Sequence, residues 1–200
     1  MSNFVVLSYG RSGSVLLAHN VGRNIGSLPT YANSSTDLGS PIVHTHLKLP
    51  AESFVGYQRI FNLRADPIET VMSSLIAQHY KKFHKFKNQE LPALDPFYVN
   101  ANDINHCCLG LIDWHNYYAN QLTSHDMVIV YEQMINLLTT SVYDRIYPNK
   151  DKILQNYSQA KEICEHHLDQ MLDSIGVFLM HKNTQDIANY INYSDCPEII

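Results

Sequence analysis

Phe4-Val5-Val6-Leu7-Ser8-Tyr9-Gly10-Arg11-Ser12-Gly13-Ser14-Val15-Leu16-Leu17 decides the fold: an apolar strand, a tight turn of small residues, then an apolar helix. Gly10 and Gly13 let the backbone curl without steric cost, so successive amides point into one concavity. The helix N-terminus then adds partial positive charge where a phosphate can sit. The triphosphate-binding pattern G-x-x-x-x-G-K-[ST] fails twice, because Ser8 stands at the first glycine position and Ser14 follows Gly13 where lysine belongs. The cation instead precedes the turn, as Arg11. Gly10, Arg11, Ser12, Gly13, Ser14 and Val15 are therefore the candidate anion-binding residues, and a plain turn of small residues is the competing reading of the same stretch.

Three later segments give this loop its context. In Pro41-Ile42-Val43-His44-Thr45-His46-Leu47-Lys48-Leu49-Pro50 a short strand carries two histidines at alternate positions. Imidazole, with an ordinary pKa of roughly 6.5, is mostly neutral yet basic near pH 7, although two alternating histidines are equally ordinary polar positions. Ile60-Phe61-Asn62-Leu63-Arg64-Ala65-Asp66-Pro67 reads as a strand ending at Arg64, followed by a helix with Asp66 as cap, Pro67 in the first turn and Glu69 completing a capping box. Ile68, Val71, Met72, Leu75 and Ile76 recur at helical spacing and leave Ser73 near another face. Met127-Val128-Ile129-Val130-Tyr131-Glu132 is an apolar strand ending in Tyr-Glu, as any buried parallel strand before a helix would be.

Tyr9-Gly10-Arg11-Ser12-Gly13-Ser14 resembles the 5′-phosphosulfate loop of the sulfotransferases that use 3′-phosphoadenosine 5′-phosphosulfate (PAPS), and the other segments resemble that family's later motifs in the same order. The resemblance covers roughly residues 4 to 135. It implies that His46, in a stretch similar to K-T-H-L-P, is the base that takes the acceptor hydroxyl proton, with Lys48 and Glu52 as competitors and His44 in the family's lysine position. It implies that Arg64 and Ser73, with Ser74 as the alternative serine, grip the 3′-phosphate, although Arg64 stands three residues before Pro67 where two is common. Tyr131-Glu132-Gln133-Met134 keeps only the first half of R-Y-E-D-L. Arg11 stands for the lysine of cytosolic members, as in the R-S-G-T-like loops of carbohydrate and tyrosyl-protein sulfotransferases. Beyond residue 135 nothing resembles the basic, glycine-rich segment that closes over PAPS in cytosolic members.

The sequence is thus expected to be a single sulfotransferase-like domain over 1–200, with its motifs in 4–135 and a helical tail over 150–192. The expected fold is α/β, three-layered around a mostly parallel sheet, and P-loop NTPase-like. The implied activity is in-line transfer of a sulfuryl group from PAPS, as co-substrate, to a small-molecule or carbohydrate hydroxyl, without a metal. A P-loop kinase-like phosphotransferase and a non-catalytic nucleotide-binding protein are the alternatives.

Composition agrees with a globular domain: 45% of the 200 residues are hydrophobic and 16% charged. A formal net charge of −5 argues against a nucleic-acid binder driven by bulk electrostatics. The basic cluster Lys81-Lys82-His84-Lys85-Lys87 with Phe83 and Phe86 is the local exception, read as a solvated helix end or a place for an anionic substrate. No signal peptide or run of ~20 apolar residues is apparent, which leads to a cytoplasmic expectation. Cys107, Cys108, Cys164 and Cys196 lack C-x-x-C spacing and read as reduced, mostly buried thiols. Ile104, Cys108, Leu111 and His115 lie on one helical face, so a core face is expected there in preference to a metal site near His106. Residues 27–41 and 88–101 read as loops, with Tyr31, Phe97 and Tyr98 as candidate walls of an acceptor pocket. Apolar residues at 160, 164, 168, 171 and 175 predict one long amphipathic helix from Tyr157 to Met180, packing on the sheet or joining a homodimer.

Overall fold

Phe4, Val5, Val6 and Leu7 are each exposed by 3% or less, which is what an apolar run becomes when a strand is covered on both faces. This strand, β1 (Asn3–Leu7), is the centre of the sheet in a computed structural model that describes residues 3–81, 94–133 and 149–181. Following it are α1 (Ser14–Asn24), β2 (Thr30–Tyr31), β3 (Ile42–Thr45), β4 (Tyr57–Leu63), α2 (Pro67–Tyr80), α3 (Ala101–Ala119), β5 (Met127–Val130), α4 (Lys150–Ile153), α5 (Tyr157–His166) and α6 (Leu168–Leu179). The five strands are all parallel, in the order β2-β3-β1-β4-β5, so the expected mostly parallel sheet is wholly parallel among the described residues.

Alternation along the strands sorts the core into two layers. Phe4, Val6, Ile42, Ile60, Met127 and Ile129 face Leu16, Leu17, Ala18 and Val21 of α1. Val5, Leu7, Val43, Phe61, Leu63 and Val128 meet Trp114 and Tyr118 of α3 and Ile175 and Phe178 of α6 on the opposite side. Helices thus cover both faces, as a three-layer α/β arrangement requires. A further cluster joins α2 to α3 and α5 through Val71, Met72, Leu75, Cys107, Leu111 and Cys164. The expected core face of α3 is present: Ile104, Cys108, Leu111 and His115 are all buried. Cys107, Cys108 and Cys164 are free and buried, and Cys196 lies outside the described residues.

Several expectations need correction. The 27–41 segment is not all loop, because Thr30 and Tyr31 pair with Val43 and His44 to make the edge strand. β4 stops at Leu63, so Arg64 lies just past the strand end. In α2, Thr70 through Ala77 are all buried, so Ser73 sits in a helix covered all round and not on a separate polar face. Asp66 does cap α2, accepting from Glu69 N, but the Glu69 carboxylate leaves the capping box to bind Lys150. The long C-terminal helix is two helices. His167, with φ −102° and ψ 0°, breaks it, and its Nε2 is held 2.8 Å from Asn105 Oδ1 of α3. Of the 88–101 loop only 94–101 are described; 94–100 run as irregular chain pinned by a bridge from Phe97 to Leu154, and Ala101 already opens α3. Lys82 to Lys87 and the tail beyond 181 lie outside the described residues.

Candidate active site at the strand ends

The C-terminal ends of parallel strands are where ligands gather in open α/β sheets. Here the loop from Ser8 to Gly13 leaves β1 at the middle of that edge. Arg11 and Gly13 both take left-handed backbone, φ 73° and 74°, which curls the chain between strand and helix. For arginine that conformation is uncommon and strained, a condition that persists where surroundings enforce it. Two bonds do so here. Ser12 Oγ donates to Tyr9 O at 2.7 Å, and the buried Asn62 Nδ2 donates to Ser12 O at 2.6 Å from the adjacent strand β4. Helix α1 starts at Ser14 with Leu17 N bonded to Gly13 O, so the amides of Ser14, Val15 and Leu16 have no acceptor within the helix. Gly13 supplies no side-chain cap, which leaves the dipole's positive end uncompensated from the cap position.

His46 follows the end of β3, next to the same loop. Its Nδ1 lies 2.9 Å from Ser8 O and 3.1 Å from Ser8 Oγ. A carbonyl oxygen only accepts, so Nδ1 carries the proton and Nε2 of the neutral ring keeps its lone pair. Burial lowers the His46 pKa from its ordinary value; the bond to Ser8 opposes this and the Arg11 charge adds to it. A neutral imidazole with a fixed tautomer and an available Nε2 is the chemical form that a general base requires.

Helix α3 grips the chain around His46. Trp114 Nε1 donates to His46 O at 3.2 Å, while Tyr118 OH donates to Leu47 O at 2.6 Å and accepts from Leu49 N at 3.0 Å. Lys48, one of the competing bases, instead pairs with Asp113 on α3. Glu52, the other, is exposed in the short 3-10 turn Ala51–Phe54. His44 is buried on β3, with its ring 4.8 Å from Tyr31 and 6.1 Å from His46. Tyr31 itself stands 5.7 Å from the His46 ring, so this candidate wall does reach the site.

Phe97 and Tyr98 do not join it. Phe97 stacks on His79 at 3.6 Å, at the far end of a 14-residue helix whose first turn is at the site, a separation of about 20 Å. Tyr98 OH turns outward to Gln159 on α5.

Arg64 lies on the same edge but is engaged by carboxylates. Its Nε is 3.3 Å from Glu132 Oε1, its Nη2 is 3.8 Å from Glu69 Oε1, and its guanidinium covers the Tyr131 ring at 5.3 Å. Among the described residues no hydrogen bond or ion pair joins Arg64 to Ser73, which is buried within α2 as Ser74 is. Arg64 and Ser73 are thus not bonded to each other, and their joint grip on a 3′-phosphate belongs to the proposal below. Among the described residues no group of three or more His, Cys, Asp or Glu is placed to hold a metal ion, and no helix is long and apolar enough to cross a membrane.

Asn62, Trp114 and Tyr131 are site-building residues that sequence reasoning passed over. Asn62 left a legible sign, a polar residue between Phe61 and Leu63 in an otherwise apolar strand. Tyr131 reads only as part of the Tyr-Glu strand end, which supports the fold, and Trp114 left no sign, since an aromatic residue at such a position reads as core. No protein-family model, curated protein or solved structure matches the chain.

Proposed function

We propose that this protein transfers a sulfuryl group from PAPS to a hydroxyl acceptor. The observation that carries the reading is the neutral His46, its Nδ1 tied to Ser8 at the root of an anion-binding loop and its Nε2 left basic. A neutral histidine with a free ring nitrogen is not needed to hold a phosphate; one beside a phosphate loop suits removal of a proton from an oxygen nucleophile. On this reading the amides of Ser12 to Val15 hold the 5′-phosphate and Arg11 supplies a fixed positive charge. The acceptor oxygen forms its bond to sulfur as the sulfur-oxygen bond to the 5′-phosphate breaks. The acceptor proton passes to His46 Nε2, and the electron pair of the broken bond stays on the departing phosphate, where the loop amides and Arg11 stabilise it. A P-loop NTPase-like class for the fold, a hydroxyl-bearing small molecule or carbohydrate as acceptor, a homodimer and a cytoplasmic setting belong to the same proposal.

The 3′-phosphate assignment fits less directly, because Glu132 and Glu69 already face Arg64. The purified chain, incubated with PAPS and a panel of phenols, alcohols and sugars, should release 3′-phosphoadenosine 5′-phosphate and sulfated product. Phosphate transfer from ATP with no use of PAPS would favour the kinase-like alternative. Binding of PAPS without turnover on any acceptor would favour the non-catalytic one.

A further inference from the structure

Leu63 and Val130 are register partners at the ends of β4 and β5, so the residues that follow them meet across the edge of the sheet. There, one carboxylate takes two donors: Glu132 Oε1 faces Arg64 Nε at 3.3 Å, and Glu132 Oε2 accepts from Ala65 N at 2.9 Å. Two oxygens on one carbon are spaced much like two oxygens on one phosphorus, so this fork of guanidinium and backbone N–H also matches a phosphate. We infer that Glu132 is an internal stand-in for the 3′-phosphate of the nucleotide, holding Arg64 in the ligand-free protein and giving way when that phosphate arrives; this rests on the sulfotransferase reading above.

The geometry says which partner leaves. Charge-assisted bonds of full strength have N···O near 2.7–2.9 Å, whereas Arg64 reaches Glu132 at 3.3 Å and Glu69 at 3.8 Å. Neither carboxylate holds it tightly. The Glu132 side chain is 40% exposed and can turn into water, while Arg64 at 12% is fixed against the Tyr131 ring. Glu69 has its own cation, Lys150, and stays in place without Arg64. A phosphate dianion carries more charge than a carboxylate and replaces it at the same fork, so the exchange sets how strongly the protein prefers a 3′-phosphorylated nucleotide.

Titration calorimetry of the full chain with 3′-phosphoadenosine 5′-phosphate and with adenosine 5′-phosphate tests this. Glu132→Gln keeps an oxygen for Ala65 N–H and removes the competing charge. It should tighten the bisphosphate roughly three- to tenfold while leaving the monophosphate unchanged. In an Arg64→Ala background, where the preference for the bisphosphate should be lost, Glu132→Gln should change neither affinity. A wild-type preference that Glu132→Gln leaves unaltered or weakens would overturn the stand-in and spare the sulfotransferase reading. Equal affinity of the wild-type chain for both nucleotides, or no binding of either, would remove the 3′-phosphate assignment and the stand-in with it. Thermal melting of each variant, expected close to that of the wild type, separates these outcomes from misfolding.

Discussion

The ring of Tyr131, just past β5, lies against the α-carbon of Gly13 in the space that a β-carbon there would occupy, inside van der Waals contact of ring atoms Cδ2 and Cε2. Gly13 is also left-handed at φ 74°, so this position excludes a side chain on two separate grounds. Gly13→Ala should cost about 3 kcal/mol, part from the backbone conformation and part from overpacking. Tyr131→Ala should relieve the second part alone. In a double-mutant cycle the cost of Gly13→Ala should fall to about 1–2 kcal/mol when Tyr131 is absent. Full additivity in urea unfolding would mean that Tyr131 does not press on the loop in solution.

Much of the sheet was legible because its strands are buried on both faces and so read as apolar runs, as Phe4 to Leu7 and Met127 to Val130 do. The edge strand β2 was not, since two exposed residues in a run of Ser, Pro, Asn and Gly carry no periodicity. The break at His167 was equally hidden, because Cys164, Met171 and Ile175 keep apolar spacing across it and only the tie to Asn105 marks the turn. At the site, the loop was legible through Gly13, whose left-handed backbone is a local need; Gly10 has no such need, and the other left-handed position falls on Arg11, a residue type that gives no sign of it. The partners of Arg64 were not legible, because Glu132 reaches it across 68 residues of sequence, and no local pattern encodes a pairing between strand ends.

Arg11 offers a test of strain stored at the loop. Its φ of 73° favours glycine, so Arg11→Gly and Arg11→Ala remove the same charge and the same guanidinium but differ in backbone cost. The glycine variant should be more stable than the alanine variant by about 1 kcal/mol in denaturant unfolding, and the two should show the same loss of turnover. Equal stability would mean that the left-handed conformation at residue 11 is not retained without the arginine.

His115 should govern part of the acid sensitivity of the fold. It is 2% exposed on α3, and burial pushes its pKa down from 6.5 to about 3. Ser174 Oγ donates to Met171 O, so its oxygen accepts from His115 Nδ1–H, and the ring is held neutral. The unfolded chain takes up a proton below pH 6.5 that the folded chain refuses until about pH 3. Stability from this group is therefore complete above pH 6.5 and declines steadily as pH falls toward 3, by a total on the order of a few kcal/mol. His115→Gln should lower stability at pH 7 by about 1–2 kcal/mol yet flatten the loss between pH 6 and pH 4. An unchanged slope would assign the acid sensitivity to other groups.

Trp114, the one tryptophan of the chain, gives an optical reading of the candidate base, because its Nε1 is bonded to the carbonyl of His46. Burial and the Arg11 charge both lower the His46 pKa, so the ring should stay neutral somewhat below pH 6.5 before protonation alters Trp114 emission. His46→Gln should abolish that transition, whereas His115, with its pKa near 3, should contribute only at lower pH. Arg11→Ala should move the midpoint upward, since it removes a repelling cation and leaves burial, opposed by the bond to Ser8, to lower the pKa. If His46 is the base, the acidic limb of kcat/KM for sulfuryl transfer should share this midpoint and move with it. His46→Ala should then lower turnover by roughly 10²–10⁴-fold without weakening nucleotide binding. A midpoint that moves with Arg11→Ala while the acidic limb stays still would take the proton away from His46, and wild-type turnover in His46→Ala with loss in Glu52→Ala would assign it to Glu52.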